Sequence, residues 1–119
     1  MTHTPPGPDE LLATTLGEPR RAGTTVWVTL LPIVDEPRDE EVDQAALQLV
    51  SQYENIVLDF SSVSNIGSDW LRLLKRMSVE GDQQGVRVEW YRVPEIVRKT
   101  AYWLSIESGL HFDDAEKGD

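Results

Sequence analysis

Ser68 is the side chain of this sequence best placed to carry chemistry. It lies in the run Ile56-Val57-Leu58-Asp59-Phe60-Ser61-Ser62-Val63-Ser64-Asn65-Ile66-Gly67-Ser68-Asp69-Trp70-Leu71, which reads as a buried strand, a polar loop and a helix that opens on a serine. A phosphate on that hydroxyl would bring about 1.5 to 2 negative charges to the first free N–H groups of the helix, where donors and the local field favour an anion. The same charge would repel an acidic or apolar surface docked on the loop. Serine is also a common helix N-cap, a role that adds about 1 kcal/mol and needs no modification. The residues alone leave both readings open.

The other reactive side chains form no comparable pattern. His3 and His111 are far apart, so neither a catalytic triad nor a histidine metal site is indicated. There are no cysteines, which removes disulfides and thiolate-bound metal. No glycine-rich phosphate loop occurs, and the 21 acids read as surface charge rather than as a hydrolase pair. Asp59 ends the strand as a carboxylate that bonds loop N–H groups, a reading preferred over a metal ligand, and Asp113-Asp114 reads as solvated tail rather than a phosphoaspartate pocket. Ser61, Ser62, Ser64 and Asn65 are expected in loop-capping roles. No catalytic residue, metal or cofactor is expected.

The elements that position this loop follow from periodicity. Residues 1–19, with Pro5, Pro6, Pro8 and Pro19 and a short apolar patch at Leu11, Leu12 and Leu16, read as a flexible proline-rich arm. Thr24 to Leu31 is β-branched and aromatic, a strand closed by Pro32. The acidic cluster Asp35, Glu36, Asp39, Glu40 and Glu41 leads into Val42, Ala45, Ala46, Leu49 and Val50 at helical spacing, with acids at the favourable end of the helix. Over 68–80, Trp70, Leu71, Leu74, Met77 and Ser78 share one side, and Arg72, Lys75, Arg76 and Val79 the other. Trp70 on that apolar side is either a filled packing niche, the preferred reading, or an exposed anchor for a partner. Gly81 to Gly85 reads as a turn-rich link and Val86 to Tyr91 as a strand. Pro94 starts a helix with the stripe Ile96, Val97, Ala101 and Leu104, and with Arg98 and Lys99 outside it; Gly109 is placed to end that region. A short strand follows at Leu110 to Phe112. The expected fold is a single α/β domain over residues 20–113, a mainly parallel four- to five-stranded sheet flanked by three or four helices, with an acidic tail at 114–119.

Composition bounds the function. At 119 residues with 39% hydrophobic content the chain suits one modest core. A net charge of −10 disfavours nucleic acid and anionic membranes, which points to basic proteins as partners. Nothing resembles a leader or a membrane span, so a cytoplasmic protein without membrane insertion is expected. From Trp70 to Thr100 seven basic residues oppose four acidic ones, so this stretch is a basic island in an acidic chain. It is either solvated helix surface or a stripe facing a partner.

The strand Ile56 to Phe60, the spacer Ser61 to Ile66, the helix opening Gly67-Ser68-Asp69-Trp70-Leu71 and the ending with Leu104, Gly109-Leu110 and Phe112 together resemble the STAS domains, named for sulfate transporters and anti-sigma-factor antagonists. The resemblance spans roughly residues 22–113. It implies a bacterial, non-enzymatic signalling module of transcription regulation, which docks a kinase-type anti-sigma factor and is released when that kinase phosphorylates it. Ser68 falls on the phosphoacceptor position. Gly67 stands where the family usually has aspartate, Asp69 replaces a second hydroxyl residue, and Trp70 replaces a small glycine. The implied partner contacts are Asn65, Gly67, Ser68, Asp69, Trp70, Arg72, Lys75 and Arg76. The alternative is a constitutive subunit of a stressosome-like scaffold or lipid-transport complex, with Ser68 as a cap only; a homodimer is left open.

Overall fold

Alternating burial along three central strands sets the architecture. In a computed structural model, which describes residues 7–113, the order is α1 (Pro8–Thr15), β1 (Gly17–Ala22), β2 (Thr25–Leu30), β3 (Ile33–Val34), α2 (Glu40–Gln52), β4 (Asn55–Asp59), β5 (Asn65–Ile66), α3 (Ser68–Gln84), β6 (Arg87–Tyr91), α4 (Glu95–Trp103) and β7 (His111–Asp113). The main sheet runs β1-β2-β4-β6-β7, with a two-stranded ribbon of β3 and β5 beside it. Pairs β2-β4, β4-β6 and β6-β7 are parallel, and β1 lies antiparallel on β2. The expected mainly parallel α/β fold, a four- to five-stranded sheet with three or four helices, is thus the observed one, with five strands in the main sheet and four helices among the described residues.

Val26, Val28, Leu30, Ile56, Leu58, Val88 and Trp90 are buried on one face of the sheet, as period-two alternation dictates. Helix α3 covers that face, since the Trp90 Nε1–H donates to Ser78 Oγ at 3.0 Å. The other face carries Trp27, Val57 and Tyr91, exposed or half-buried. Asp39 caps α2, its Oδ1 accepting the N–H of Val42 at 2.9 Å, and Glu40, Glu41 and Asp43 fill the first turn, where acids suit the helix dipole.

Four expectations need correction. Residues from Pro8 onward are not an arm: Leu12 and Leu16 are fully buried, α1 packs on β1 and α2, and β1 is an edge strand hidden in the sequence by its polar GEPRRA composition. The folded body therefore starts before residue 20; residues 1–6 and the 114–119 tail lie outside the described residues. Helix α3 does not stop at residue 80 but runs to Gln84 and ends on Gly85, whose φ of 76° is the left-handed cap that glycine adopts without cost. Helix α4 ends at Trp103, short of Gly109, and its Ile96 is 60% exposed rather than part of the buried stripe.

Candidate functional site: the loop and helix opening at 59–76

The loop after β4 is tied at both ends by its own polar groups. The Asp59 carboxylate accepts the N–H of Ser61 at 2.9 Å and the Trp27 Nε1–H at 3.0 Å, as a strand-end carboxylate would. Ser61 and Ser62 are exposed while Phe60 and Val63 are buried, and the Val63 N–H donates to Phe60 O at 3.0 Å. The chain then crosses to the ribbon. Pro32 O accepts three donors, the N–H of Ser64 at 2.8 Å, the N–H of Asn65 at 3.2 Å and Ser64 Oγ at 3.1 Å. Asn65 and Ile66 pair with Ile33 and Val34, and the Gly67 N–H closes on Val34 O at 2.8 Å. These bonds tie the loop to the segment after β2 at the carboxyl edge of the sheet, the usual binding rim of such folds.

Gly67, not Ser68, is the N-cap of α3. Its φ of −69° and ψ of 149° are extended and no side chain caps the helix, while its carbonyl accepts the N–H groups of both Trp70 and Leu71 at 3.1 Å. Ser68 is the first helical residue and is exposed. Its hydroxyl therefore does not hold the capping bond that the simple cap reading assigns to it. It stands at the positive end of a 17-residue helix, where an anion gains typically 0.3 to 1 kcal/mol at a surface position.

The remaining expected contacts divide. Trp70 is 1% exposed and its Nε1–H donates to Glu36 O at 2.7 Å. An indole so enclosed cannot anchor a partner, so its place among the surface contacts is withdrawn; it holds the helix opening against the segment before α2. Asn65, Ser68, Asp69, Arg72 and Arg76 are exposed and Gly67 and Lys75 are half-buried. Arg76 pairs with Glu80 at 3.3 Å, and Lys75 Nζ donates to Ser108 O. Arg72 sits one turn beyond Ser68, at the i,i+4 spacing where side chains meet on a helix surface.

One residue of the site escaped the sequence reading. Arg38 donates to the Asp69 carbonyl and pairs with Asp43 at 2.9 Å, and so ties the first turn of α3 to that of α2. Its only sequence signal is that it is the one basic residue among the acids from Asp35 to Glu41. Among the described residues no group of three His, Asp or Glu side chains is arranged to hold a metal, and no helix is long and apolar enough to cross a membrane. His111 faces Asp82, Nε2 to Oδ1 3.0 Å, away from the loop's own contacts; His3 lies outside the described residues.

No protein-family model matches the sequence, and no curated protein does. Solved structures do match in shape. The unphosphorylated form of the anti-sigma factor antagonist SpoIIAA is similar over 85% of this chain and 90% of its own, with a TM-score of 0.66 at 15% identity. The phosphorylated form of SpoIIAA, the Bacillus cell fate determinant, covers 85% and 94% with a TM-score of 0.58 at 14% identity. The protein TM1081 covers 84% and 82% with a TM-score of 0.64 at 14% identity. The fold of this chain is that of a STAS domain.

Proposed function

We propose that this chain is a non-enzymatic regulatory module that binds a protein partner through the 65–71 loop and the exposed side of α3. The partner proposed is a kinase-type anti-sigma factor, and phosphorylation of Ser68 is the release step. The observation that carries the reading is the exposure of Ser68 at the first position of α3, on the rim, with its hydroxyl not spent on the N-cap. Two further facts support it. A structural neighbour, SpoIIAA, is known in phosphorylated and unphosphorylated forms, and Arg72 and Arg76 stand exposed along the helix that Ser68 opens. The neutral hydroxyl lets a partner close on the loop; a phosphate would put a second and third negative charge beside Asp69 and oppose any acidic or apolar contact there.

Asp69 also favours a second reading. Its carboxylate stands next to Ser68 and already supplies the anion that the helix end prefers, which suits a constitutive subunit of a larger assembly with no phosphate cycle. The test joins the purified chain, ATP and the kinase-type anti-sigma factor encoded nearest to it. Mass spectrometry is expected to locate phosphate on Ser68, Ser68→Ala to bind like the wild type, and Ser68→Asp to bind about tenfold or more weaker. Equal binding by both variants, with Ser68 unmodified, rejects the switch and leaves the constitutive subunit.

A further inference from the structure

Helix α4 carries more exposed apolar surface than its size explains. Ile96 is 60%, Tyr102 63% and Trp103 80% exposed, although the opposite side of the same nine-residue helix buries Val97 and Ala101. At 100° per residue Ile96 and Trp103 lie together, Tyr102 lies on the far flank, and Lys99 projects between them. Among the described residues Lys99 pairs with Glu95, at 3.5 Å with both side chains mostly exposed, a pair worth little in water. Tyr102 and Trp103 meet edge to face, their centroids 6.2 Å apart, and form one wall of an open cleft completed by Ser105, Glu107 and Ser108.

The basic side of α3 borders this cleft. Lys75 Nζ donates to Ser108 O of the cleft lining, and Arg72 and Arg76 stand exposed on the same helix. At the other end of α4 Ile96 reaches a shallow cleft shared with Ser64, Asn65 and Ile66, which makes the surface continuous with the rim loop. The stretch Trp70 to Thr100 is basic while the remainder of the chain is strongly acidic. Lys75 beside the cleft, Lys99 on α4 and the exposed Arg72 and Arg76 of α3 bring part of that positive charge to this side of the molecule, and charge of this kind steers encounter and orientation of an acidic partner. Exposed tryptophan and tyrosine beside a cleft are the residue types that dominate binding energy at protein interfaces. A second copy of a chain of charge −10 lacks that advantage.

We propose that the outer face of α4 and the cleft beside Trp103 dock an acidic segment of a protein partner that inserts an aromatic or large aliphatic side chain next to Trp103. Among the described residues Glu107 is the one acid in the cleft wall, and it limits how much negative charge the segment places there. The proposal does not depend on whether Ser68 is phosphorylated.

Random peptides displayed on phage are panned against the full-length chain, and the enriched peptides are then measured on the wild type, Trp103→Ala and Glu107→Lys. Enriched sequences are expected to set Asp or Glu around a Phe, Trp or Leu. They should blue-shift the Trp103 emission, weaken about tenfold or more on Trp103→Ala, tighten on Glu107→Lys, and weaken as salt is raised. Because both side chains are exposed, thermal midpoints of the two variants should match the wild type. Enrichment of basic peptides, no enrichment, or equal binding to Trp103→Ala overturns the proposal. So does shielding of Trp103 that grows with chain concentration in the absence of peptide, which would make the occupant a second copy.

Discussion

Replacing Trp70 by phenylalanine separates packing from recognition at the helix opening. The indole is 1% exposed, and its N–H satisfies Glu36 O at 2.7 Å. Phenylalanine keeps most of the apolar contact but loses the donor. Leaving a partly buried carbonyl without its partner costs about 1 kcal/mol, the low end of the range because Glu36 is otherwise exposed and water can reach nearby. The smaller ring removes roughly 40 Å² of buried apolar contact, about another 1 kcal/mol. The sum of about 2 kcal/mol corresponds to a drop of roughly 8 to 10 °C in thermal midpoint for a domain of this size. Trp70→Ala should cost about 3 to 5 kcal/mol, a large part of the stability such a domain commands. Urea titration followed by far-UV circular dichroism measures both, and the slope m should stay at the wild-type value. Partner binding by Trp70→Phe, measured well below its midpoint, should be unchanged. A variant as stable as the wild type that no longer binds would mean that the indole is a contact residue, and the placement argued for it would be wrong.

Two further substitutions test the backbone around the site. A Cβ on Gly67 would meet Trp70 Cδ1 at 3.6 Å and Val34 O at 3.7 Å, ordinary contacts, so Gly67→Asp should fit and cap α3, for a gain of about 0.5 kcal/mol after repulsion from Asp69. A capping carboxylate has its pKa lowered on folding, so the gain should be present above about pH 4 and vanish as pH falls through the lowered value; urea midpoints at neutral pH and at pH 3 check this, and a loss at neutral pH refutes it. A Cβ on Gly81 would lie 2.8 Å from Val88 Cγ2 and 2.9 Å from Val86 O, so Gly81→Ala should destabilise by about 1 to 2 kcal/mol despite the better helix propensity of alanine. A neutral or stabilising result in the same titration would mean that the helix and β6 are not this close.

The sequence made the centre of the fold legible and left its margins obscure for identifiable reasons. Ile56 to Phe60 and Val86 to Tyr91 pack against covering elements, so apolar spacing reports them directly. Strand β1 is nearly all exposed along Glu18, Arg20, Arg21 and Ala22 and is defined by its ladder to β2, which leaves no apolar period to read. Gly81 looked like punctuation because glycine is used for turns and for close approach alike, and only the neighbouring strand decides between them. The exposed place of Ser68 at the start of α3 was legible from strand, spacer and helix in order. The cap assignment was off by one residue, because Gly67 has no side chain to announce itself.

The same packing constrains how a phosphate on Ser68 would act. The loop is held by Pro32 and Val34, the first turn by Trp70 on Glu36 and by Arg38 on the Asp69 carbonyl. These contacts all reach back to the segment between β2 and α2, so moving the helix opening would break several of them together. Charge added at the exposed hydroxyl breaks none. Modification of Ser68 should therefore change the potential of a fixed surface rather than its shape, with Arg72, one turn along α3, as the nearest basic side chain on the same helix face. On this argument the surface is already formed before any partner arrives, and a partner that discriminates the two forms must do so through its own charges at the Ser68 end of the helix.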